Sequence, residues 1–297
     1  MKINYKTVFT AVVLLCSCLL YQGELSSQTI PAAINADGYI FIDASFNDSV
    51  KTKLLFDTGA GLSVVSQKLF EKLRSSVTPA GIFTAFRHDG ERLDAELFSI
   101  PKLTIGNHTV YNVVAAVYAP LDEYGIEGVV SLKEFENIPV TVDFKNSTFT
   151  IEESENMPAI ESSASAVIPL KLHRQTGKSL DIFIDICLND SIKIEAEFDT
   201  GSGYNSILIN QYFMKKLSID SASAIKKPYV TPSENKNLVD YIVNINSLNY
   251  CSVGNIKMNS VDITFRQDLI YEGLIGSGMF RNRSLTIDIP NSRMLVR

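Results

Sequence analysis

Two aspartates occupy the same unusual setting in this chain. Asp57 and Asp199 each follow an apolar segment and precede Thr-Gly, within LLFDTGA and AEFDTGS. An ionised carboxylate at the end of a buried strand is costly, because burial removes water from the charge. Two carboxyl groups brought within about 3 Å cannot both ionise, and they share one proton. Such a pair can activate water, since one member accepts a proton from it while the protonated partner donates to a carbonyl oxygen.

Both aspartates belong to an internal duplication. Residues 41–61, FIDASFNDSVKTKLLFDTGAG, return as residues 183–203, FIDICLNDSIKIEAEFDTGSG. A later block, EGVVSLKEFENIPVTVDFKNS at 127–147, returns as EGLIGSGMFRNRSLTIDIPNS at 272–292. Repeats of this length indicate a tandem duplication of one structural unit. If the copies are related by a pseudo-twofold axis, residues near the axis meet their own twins, and Asp57 would meet Asp199.

Each copy has the alternating pattern of a mostly β lobe. Hairpins are predicted around two polar turns, Asn47-Asp48-Ser49 and Asn189-Asp190-Ser191. One short helix per copy should follow the Asp-Thr-Gly turn, at residues 66–73 and 210–217. The sequence predicts a signal peptide at 1–27, an N-terminal lobe at 30–153, a C-terminal lobe at 167–297 and, between the lobes, a linker at 154–166 indicated by its Glu, Ser and Pro content.

The N-terminal segment predicts export. Lys2 and Lys6 precede an apolar stretch at residues 8–20, which is short for a transmembrane helix and is typical of a signal peptide. The sequence LCSC ending at Cys18 resembles a bacterial lipobox, which would make Cys18 a lipidation site and attach the protein to a membrane. Ordinary cleavage near Ser27 and an uncleaved anchor are the alternatives. The expected location is the bacterial periplasm, the cell surface or a membrane-anchored lipoprotein, or else the protein is secreted.

Composition excludes several other classes. The chain of 297 residues is 45% hydrophobic, long enough for one large domain or two ordinary ones. Its net charge of −6 and the lack of a basic stripe argue against a nucleic-acid partner. After the leader, Cys187 and Cys251 remain; they could pair, but they have no zinc-type spacing, and we predict no metal site.

The two Asp-Thr-Gly turns and the two late blocks resemble those of the retropepsin-like aspartic peptidases, in the form with both lobes in one chain. The resemblance implies an all-β fold with two tandem retropepsin- or pepsin-like β-barrel lobes, a pseudo-twofold axis and an active-site cleft between them. It implies a catalytic role for Asp57 and Asp199. It also implies that the loop around them is shaped by Thr58, Gly59, Ala60, Thr200, Gly201 and Ser202.

A β-hairpin lid normally covers such a site. The best candidate is FRHDGERLD at 86–94, because Asp-Gly is a strong hairpin turn. Its tip supplies the predicted substrate-binding flap residues Arg87, His88, Asp89 and Gly90. TPSENKNLVD at 231–240 is the corresponding segment of the second copy.

Two differences between the copies matter for the chemistry. The late block has Gly276 in the second copy but Ser131 in the first, where a small residue should pack beside the active loop. Ser202 can donate a hydrogen bond to Asp199, whereas Ala60 cannot assist Asp57 in this way. We therefore predict that Asp57 holds the shared proton and that Asp199 carries the charge.

The resulting prediction is an exported, monomeric aspartic endopeptidase that acts on a peptide or protein substrate. It should need no cofactor, because water is the nucleophile. The first alternative is a catalytically silent peptide- or glycan-binding protein of the cell envelope on the same fold. The second is an interaction protein whose lobes serve assembly on the envelope.

Overall fold

The computed structural model describes residues 27–230, 237–254 and 256–297, and most of them lie in β-strands. The strands of the first half are Gln28–Ile34 (β1), Ile40–Phe46 (β2), Val50–Asp57 (β3), Ser63–Val65 (β4), Thr78–Phe86 (β5), Arg92–Ile105 (β6), His108–Val117 (β7), Gly128–Ser131 (β8), Val140–Asp143 (β9) and Thr148–Ile151 (β10). Those of the second half are Ala166–Pro169 (β11), Lys171–Gln175 (β12), Ser179–Leu188 (β13), Ile192–Phe198 (β14), Ile207–Asn210 (β15), Ile225–Val230 (β16), Asn237–Tyr250 (β17), Lys257–Arg266 (β18), Gly273–Ile275 (β19), Ser284–Asp288 (β20) and Arg293–Val296 (β21). The helices are Gln67–Leu73 (α1), Met157–Ser163 (α2) and Tyr212–Lys216 (α3).

Each half closes into a β-barrel. In the first half the described strands follow the order β2-β3-β8-β4-β7-β6, and pairing of β2 with β6 closes the ring. In the second half the order is β13-β14-β19-β15-β18-β17, closed by pairing of β13 with β17. The strand order is the same in both, so the structure confirms the predicted fold of two tandem β-barrel lobes.

A third sheet joins the lobes, with the strand order β11-β21-β20-β9-β10-β1. At its centre β9 pairs antiparallel with β20, and Thr141 lies opposite its repeat twin Thr286. Their hydroxyl oxygens are 2.7 Å apart and buried. Residues at equivalent positions of the two repeats lie next to each other in this way only near a pseudo-twofold axis. The repeat pattern did not predict β1, β10, β11 or β21.

The predicted hairpins are present, and their turn residues explain them. Asn47 and Asp48 have φ values of 50° and 59°, and Asn189 and Asp190 have 47° and 55°. Asn and Asp tolerate this left-handed conformation better than other non-glycine residues, and each pair forms the centre of a β-turn, closed by the Ser49 N–H donating to the Phe46 carbonyl and by the Ser191 N–H donating to the Leu188 carbonyl. The turns therefore join β2 to β3 and β13 to β14.

The predicted helices are also found, with different bounds. Ser66 is the N-cap of α1, where its side-chain oxygen accepts a hydrogen bond from the Leu69 N–H at 3.2 Å. Residues 154–166, which the sequence predicts as a linker, contain α2. Met157 and Ile160 of this helix are buried against Leu295. Burial of these apolar side chains fixes the connection on the surface of the joining sheet.

The two lobes pack their cores alike. Phe56 contacts Phe135 edge to face with ring centroids 6.0 Å apart, and the twin pair Phe198 and Phe280 does so at 5.7 Å. Cys187 and Cys251 are both free thiols. Residues 1–26 lie outside the described residues, so export and lipidation at Cys18 stay predictions. Within the described ranges, no helix has the length and apolar character needed to cross a membrane.

Candidate active site

Both aspartates lie at the ends of strands held between neighbouring strands. β3 runs parallel to β8, with Asp57 opposite Ser131, and β14 runs parallel to β19, with Phe198 opposite Ile275. Phe56 and Phe198 are fully buried in the barrel cores. Because side chains alternate along a strand, the aspartate after each Phe points out of the barrel. Both aspartates therefore face the gap between the lobes.

The turns after the aspartates are locked to each other by threonines. The Thr58 hydroxyl donates to the Phe198 carbonyl at 2.6 Å and accepts from the Thr200 N–H at 3.0 Å. The Thr200 hydroxyl donates to the Phe56 carbonyl at 2.9 Å and accepts from the Thr58 N–H at 3.1 Å. Both threonines are fully buried. These four reciprocal hydrogen bonds fix the relative position of the two turns.

With the turns locked, the side chains of Asp57 and Asp199 meet. Their carboxyl groups are in hydrogen-bonding contact, which requires a proton on one of them. Burial raises the pKa of Asp57 well above its usual range, and the charge of Asp199 raises it further. Because its pKa is raised, Asp57 is the member of the pair that keeps the proton.

Each carboxyl group has its own hydrogen-bond donors. Asp57 Oδ1 accepts from the backbone N–H groups of Gly59 at 2.9 Å and Ala60 at 3.2 Å. Asp199 Oδ2 accepts a hydrogen bond from the Ser202 hydroxyl, as its position in the sequence suggested. Asp199 Oδ1 is buried and accepts from no other group among the described residues. This oxygen is available to the proton that the two carboxyl groups share.

The glycines of the two turns leave room for the opposite aspartate. A Cβ atom on Gly201 would lie 2.2 Å from Asp57 Oδ2, and one on Gly59 would lie 2.5 Å from Asp199 Cγ. No side chain fits at either position without moving the carboxyl pair. The loop residues predicted from the repeat thus surround the two carboxyl groups, although their catalytic role stays a prediction.

The difference between Ser131 and Gly276 has a local explanation. Ser131 is fully buried, its N–H donates to the Ser63 hydroxyl at 3.1 Å, and its own hydroxyl caps the following 3-10 turn. At Gly276, a Cβ atom would lie 2.0 Å from the carbonyl oxygen of Gly203. The first lobe therefore has space for a serine, and the second lobe does not.

A cleft of about 1000 Å³ opens above the two carboxyl groups, and both lobes line it. This volume is at the upper end of the range of small-molecule pockets. In the first lobe it is bordered by β5 and β6, which form the predicted lid hairpin, with its tip at residues 87–91. Gly90 has a φ of +84°, a conformation that glycine adopts at little cost, and the Asp-Gly turn explains the hairpin.

The predicted flap residues divide into two groups. Arg87 and His88 line the cleft. Asp89 and Gly90 lie over the second lobe, where Asp89 accepts a hydrogen bond from the Tyr229 hydroxyl at 3.3 Å and Gly90 approaches Ile270. The flap tip is thus fastened to the opposite lobe.

Arg266 completes this contact. The Arg266 guanidinium is 3.2 Å from the ring nitrogen Nε2 of His88 and makes a buried ion pair with Asp240 at 2.6 Å. Burial and the nearby Arg266 charge lower the pKa of His88. In the second lobe, β16 and β17 form the corresponding hairpin, but its tip at 231–236 lies outside the described residues.

Two further acids in the cleft were not predicted from the sequence. Glu197 precedes Asp199 by two residues on β14 and is 4% exposed, and Asp181 lies on the adjacent strand β13. Burial raises the pKa of Glu197 well above its usual range, as do the charges of Asp199, Asp181 and Asp57. Burial also raises the pKa of Asp181 to about 6. A comparison of the two repeats, EAEFDT against KLLFDT, contains this signal, because Glu197 replaces the apolar twin Leu55.

Comparison with known proteins gives one family and one fold. Residues 42–132 match the family model described as aspartyl protease. Basic 7S globulin from soybean has a similar solved structure, with a TM-score of 0.55 over 91% of this chain and 94% of that chain. Its sequence is 10% identical, so the likeness concerns the fold alone. No curated protein matches this chain by sequence. The resemblance to aspartic peptidases and the expected fold are both confirmed.

Proposed function

We propose that this chain, whose residues 42–132 match the aspartyl protease family model, is an exported aspartic endopeptidase. The observation that carries the proposal is the hydrogen-bonding contact between the Asp57 and Asp199 carboxyl groups at the base of the cleft. Two acids that share a proton provide a general acid and a general base together, at one point. The locked threonines hold this arrangement without help from a substrate.

Hydrolysis follows from the protonation pattern. Asp199 as the carboxylate accepts a proton from a water molecule, and the resulting hydroxide attacks the carbonyl carbon of the peptide bond. Asp57 donates its proton to the carbonyl oxygen, which gives a neutral tetrahedral intermediate. Proton transfer from Asp199 to the peptide nitrogen then releases the amine as the C–N bond breaks. Asp57 recovers its proton from the collapsing intermediate, so the pair returns to its starting state.

The cleft suits an extended peptide. It runs between the lobes and is covered on one side by the hairpin of β5 and β6. An extended segment can pair its backbone with such a hairpin while alternate side chains enter pockets on either lobe. Because one chain supplies both aspartates and the joining sheet, the proposed enzyme is a monomer. It acts on a peptide or protein outside the cytoplasm, as the predicted leader at 1–27 indicates.

The test is cleavage of a mixed peptide library by the purified protein at pH values from about 3 to 8, with and without pepstatin. We expect cleavage of internal peptide bonds in the wild type. Asp57→Asn and Asp199→Asn should each abolish it, because an amide can neither share the proton nor accept one from water. Asp43→Asn is the matched control, since Asp43 lies exposed on β2 in an ion pair with Lys53.

The melting temperature of each variant shows whether it is folded. Cleavage that persists in a folded Asp57→Asn or Asp199→Asn variant would refute the mechanism. If the wild type binds peptides without cleaving them at any pH, the protein is instead a silent binding protein on the same fold.

A further inference from the structure

The two sides of the cleft differ at twin positions of the repeat. In the first lobe, Leu55 precedes Asp57 by two residues, and Tyr39 lies directly before the neighbouring strand β2. The second lobe has Glu197 and Asp181 at the corresponding positions. A pseudo-twofold axis that relates the aspartates therefore relates an apolar surface to an acidic one.

The first-lobe surface is filled by its own side chains. Leu55 packs with Leu121 and Val129 in a buried cluster, and Tyr39 and Ile126 lie against it. This cluster contains no charge. It offers an apolar wall to whatever enters the cleft on this side.

The second-lobe surface is a buried acid without a partner. Glu197 lines the cleft, is 4% exposed, and its carboxyl group makes no hydrogen bond or ion pair with the described residues. On the same strand, Glu195 lies outside the cleft and is paired with Lys171 at 2.6 Å. A buried carboxylate without a partner is unstable, so Glu197 needs either a proton or a cation.

The neighbours of Glu197 add negative charge and an aromatic wall. Asp181 also lines the cleft, and the charged group that acts on it most is the exposed His173. Tyr271 lines the same region, packs edge to face on Phe183 at 5.2 Å, and feels the charges of both acids. Two acids next to a tyrosine ring form a suitable environment for an ammonium or a guanidinium group, which binds carboxylates and aromatic faces together.

We propose that Glu197, Asp181 and Tyr271 form a subsite of the cleft that binds the lysine or arginine side chain of a peptide substrate. This inference rests on the proposed endopeptidase function and specifies its substrate class. A basic side chain loses its hydrogen bonds to water when it enters the cleft, and the subsite would provide partners in place of that water.

The position of the subsite determines which residue of the substrate it contacts. Asp199 follows the last residue of β14 in extended backbone, two residues after Glu197, so their Cα atoms are separated by roughly 7 Å. In an extended peptide, the side chain of a residue next to the cleaved bond lies about this far from the carbonyl group that is attacked. The basic residue is therefore expected next to the cleaved bond on the side of the second lobe. An apolar residue would occupy the opposite side, against Leu121 and Val129.

The experiment compares matched peptides that place lysine, arginine or uncharged norleucine at each of the two positions that flank the cut bond. For the wild type we expect kcat/KM to be about tenfold to a hundredfold higher for the basic peptide at one position, as for a hydrogen bond to a charged group. Glu197→Gln should remove most of this preference, measured as the ratio of kcat/KM between the basic and the norleucine peptide. Glu195→Gln on the same strand is the control and should keep the preference.

The outcomes separate this inference from the proposed function. Cleavage with no preference for basic residues, or with a preference that survives in Glu197→Gln, overturns the subsite and leaves the peptidase intact. If nothing is cleaved, binding of the same peptides is measured by calorimetry. Tighter binding of the basic peptide that is lost in Glu197→Gln then supports the subsite, although the peptidase proposal fails. Equal binding of basic and uncharged peptides overturns the subsite.

Discussion

Replacement of Thr200 by valine tests the lock between the lobes. Valine has nearly the same shape as threonine but lacks the hydroxyl. In the folded protein that hydroxyl satisfies two buried backbone groups, the Phe56 carbonyl at 2.9 Å and the Thr58 N–H at 3.1 Å. Each buried group left without a partner costs about 1–3 kcal/mol. We therefore expect Thr200→Val to lower the free energy of unfolding by about 2–6 kcal/mol.

The measurement is urea unfolding at 25 °C, with Thr200→Ser as the control. Serine keeps the hydroxyl and loses one methyl group, which is worth about 1 kcal/mol. Because the threonines are twins, Thr58→Val should cost a similar amount, and the double variant should cost less than the sum of the two. If Thr200→Val lies within about 0.5 kcal/mol of Thr200→Ser, the hydroxyl does not hold the two turns and the reasoning is wrong.

Three further expectations concern single side chains. Burial raises the pKa of Glu134 from 4.5 to about 7, so the native state binds this proton more tightly than the unfolded chain and stability is lost as the pH rises through this range. Glu134→Gln should therefore raise the free energy of unfolding by up to about 3 kcal/mol at pH 8 and change it little at pH 4, as urea titrations at the two pH values would reveal. Gly276→Ala places a Cβ atom 2.0 Å from the Gly203 carbonyl, so we expect a loss of about 3 kcal/mol or more, and a melting temperature equal to that of the wild type would contradict this. Ser202→Ala removes the donor to the Asp199 carboxylate and should move the acid limb of the pH–rate profile to higher pH, whereas an unmoved limb would mean that the hydrogen bond does not favour the charged form.

Much of the fold was predictable because the chain contains two copies of one pattern. Local sequence preferences explain the hairpin turns at Asn47-Asp48 and Asn189-Asp190, the helices after Asp-Thr-Gly and the late strands. Both copies of the repeat carry these same local signals. The joining sheet was not predictable in this way. Within it, β10 and β21 form local hairpins with β9 and β20. The pairs β1–β10, β11–β21 and β9–β20 join parts of the chain that are distant in sequence. Their pairing depends on how the lobes dock, which no local pattern encodes.

The candidate site, like the fold, was only partly predictable from the sequence. The residue types were evident in the sequence, since two Asp-Thr-Gly turns after apolar strands indicate a paired carboxyl site. Their contact, the reciprocal threonine hydrogen bonds and the placement of Arg87 and His88 in the cleft exist only when both lobes are docked.

The sequence by itself therefore determined that the chain is duplicated, that each copy is mostly β and that two equivalent acids stand at equivalent turns. Only the tertiary structure decided which residues around those acids lie in the cleft. The sequence pattern marks Glu197 only as a strand residue, because its burial depends on tertiary packing that includes β19, which lies far from it in the chain. Alternation along a strand fixes the face on which a side chain lies, and the packing of distant elements decides whether that face meets water, a core or a substrate.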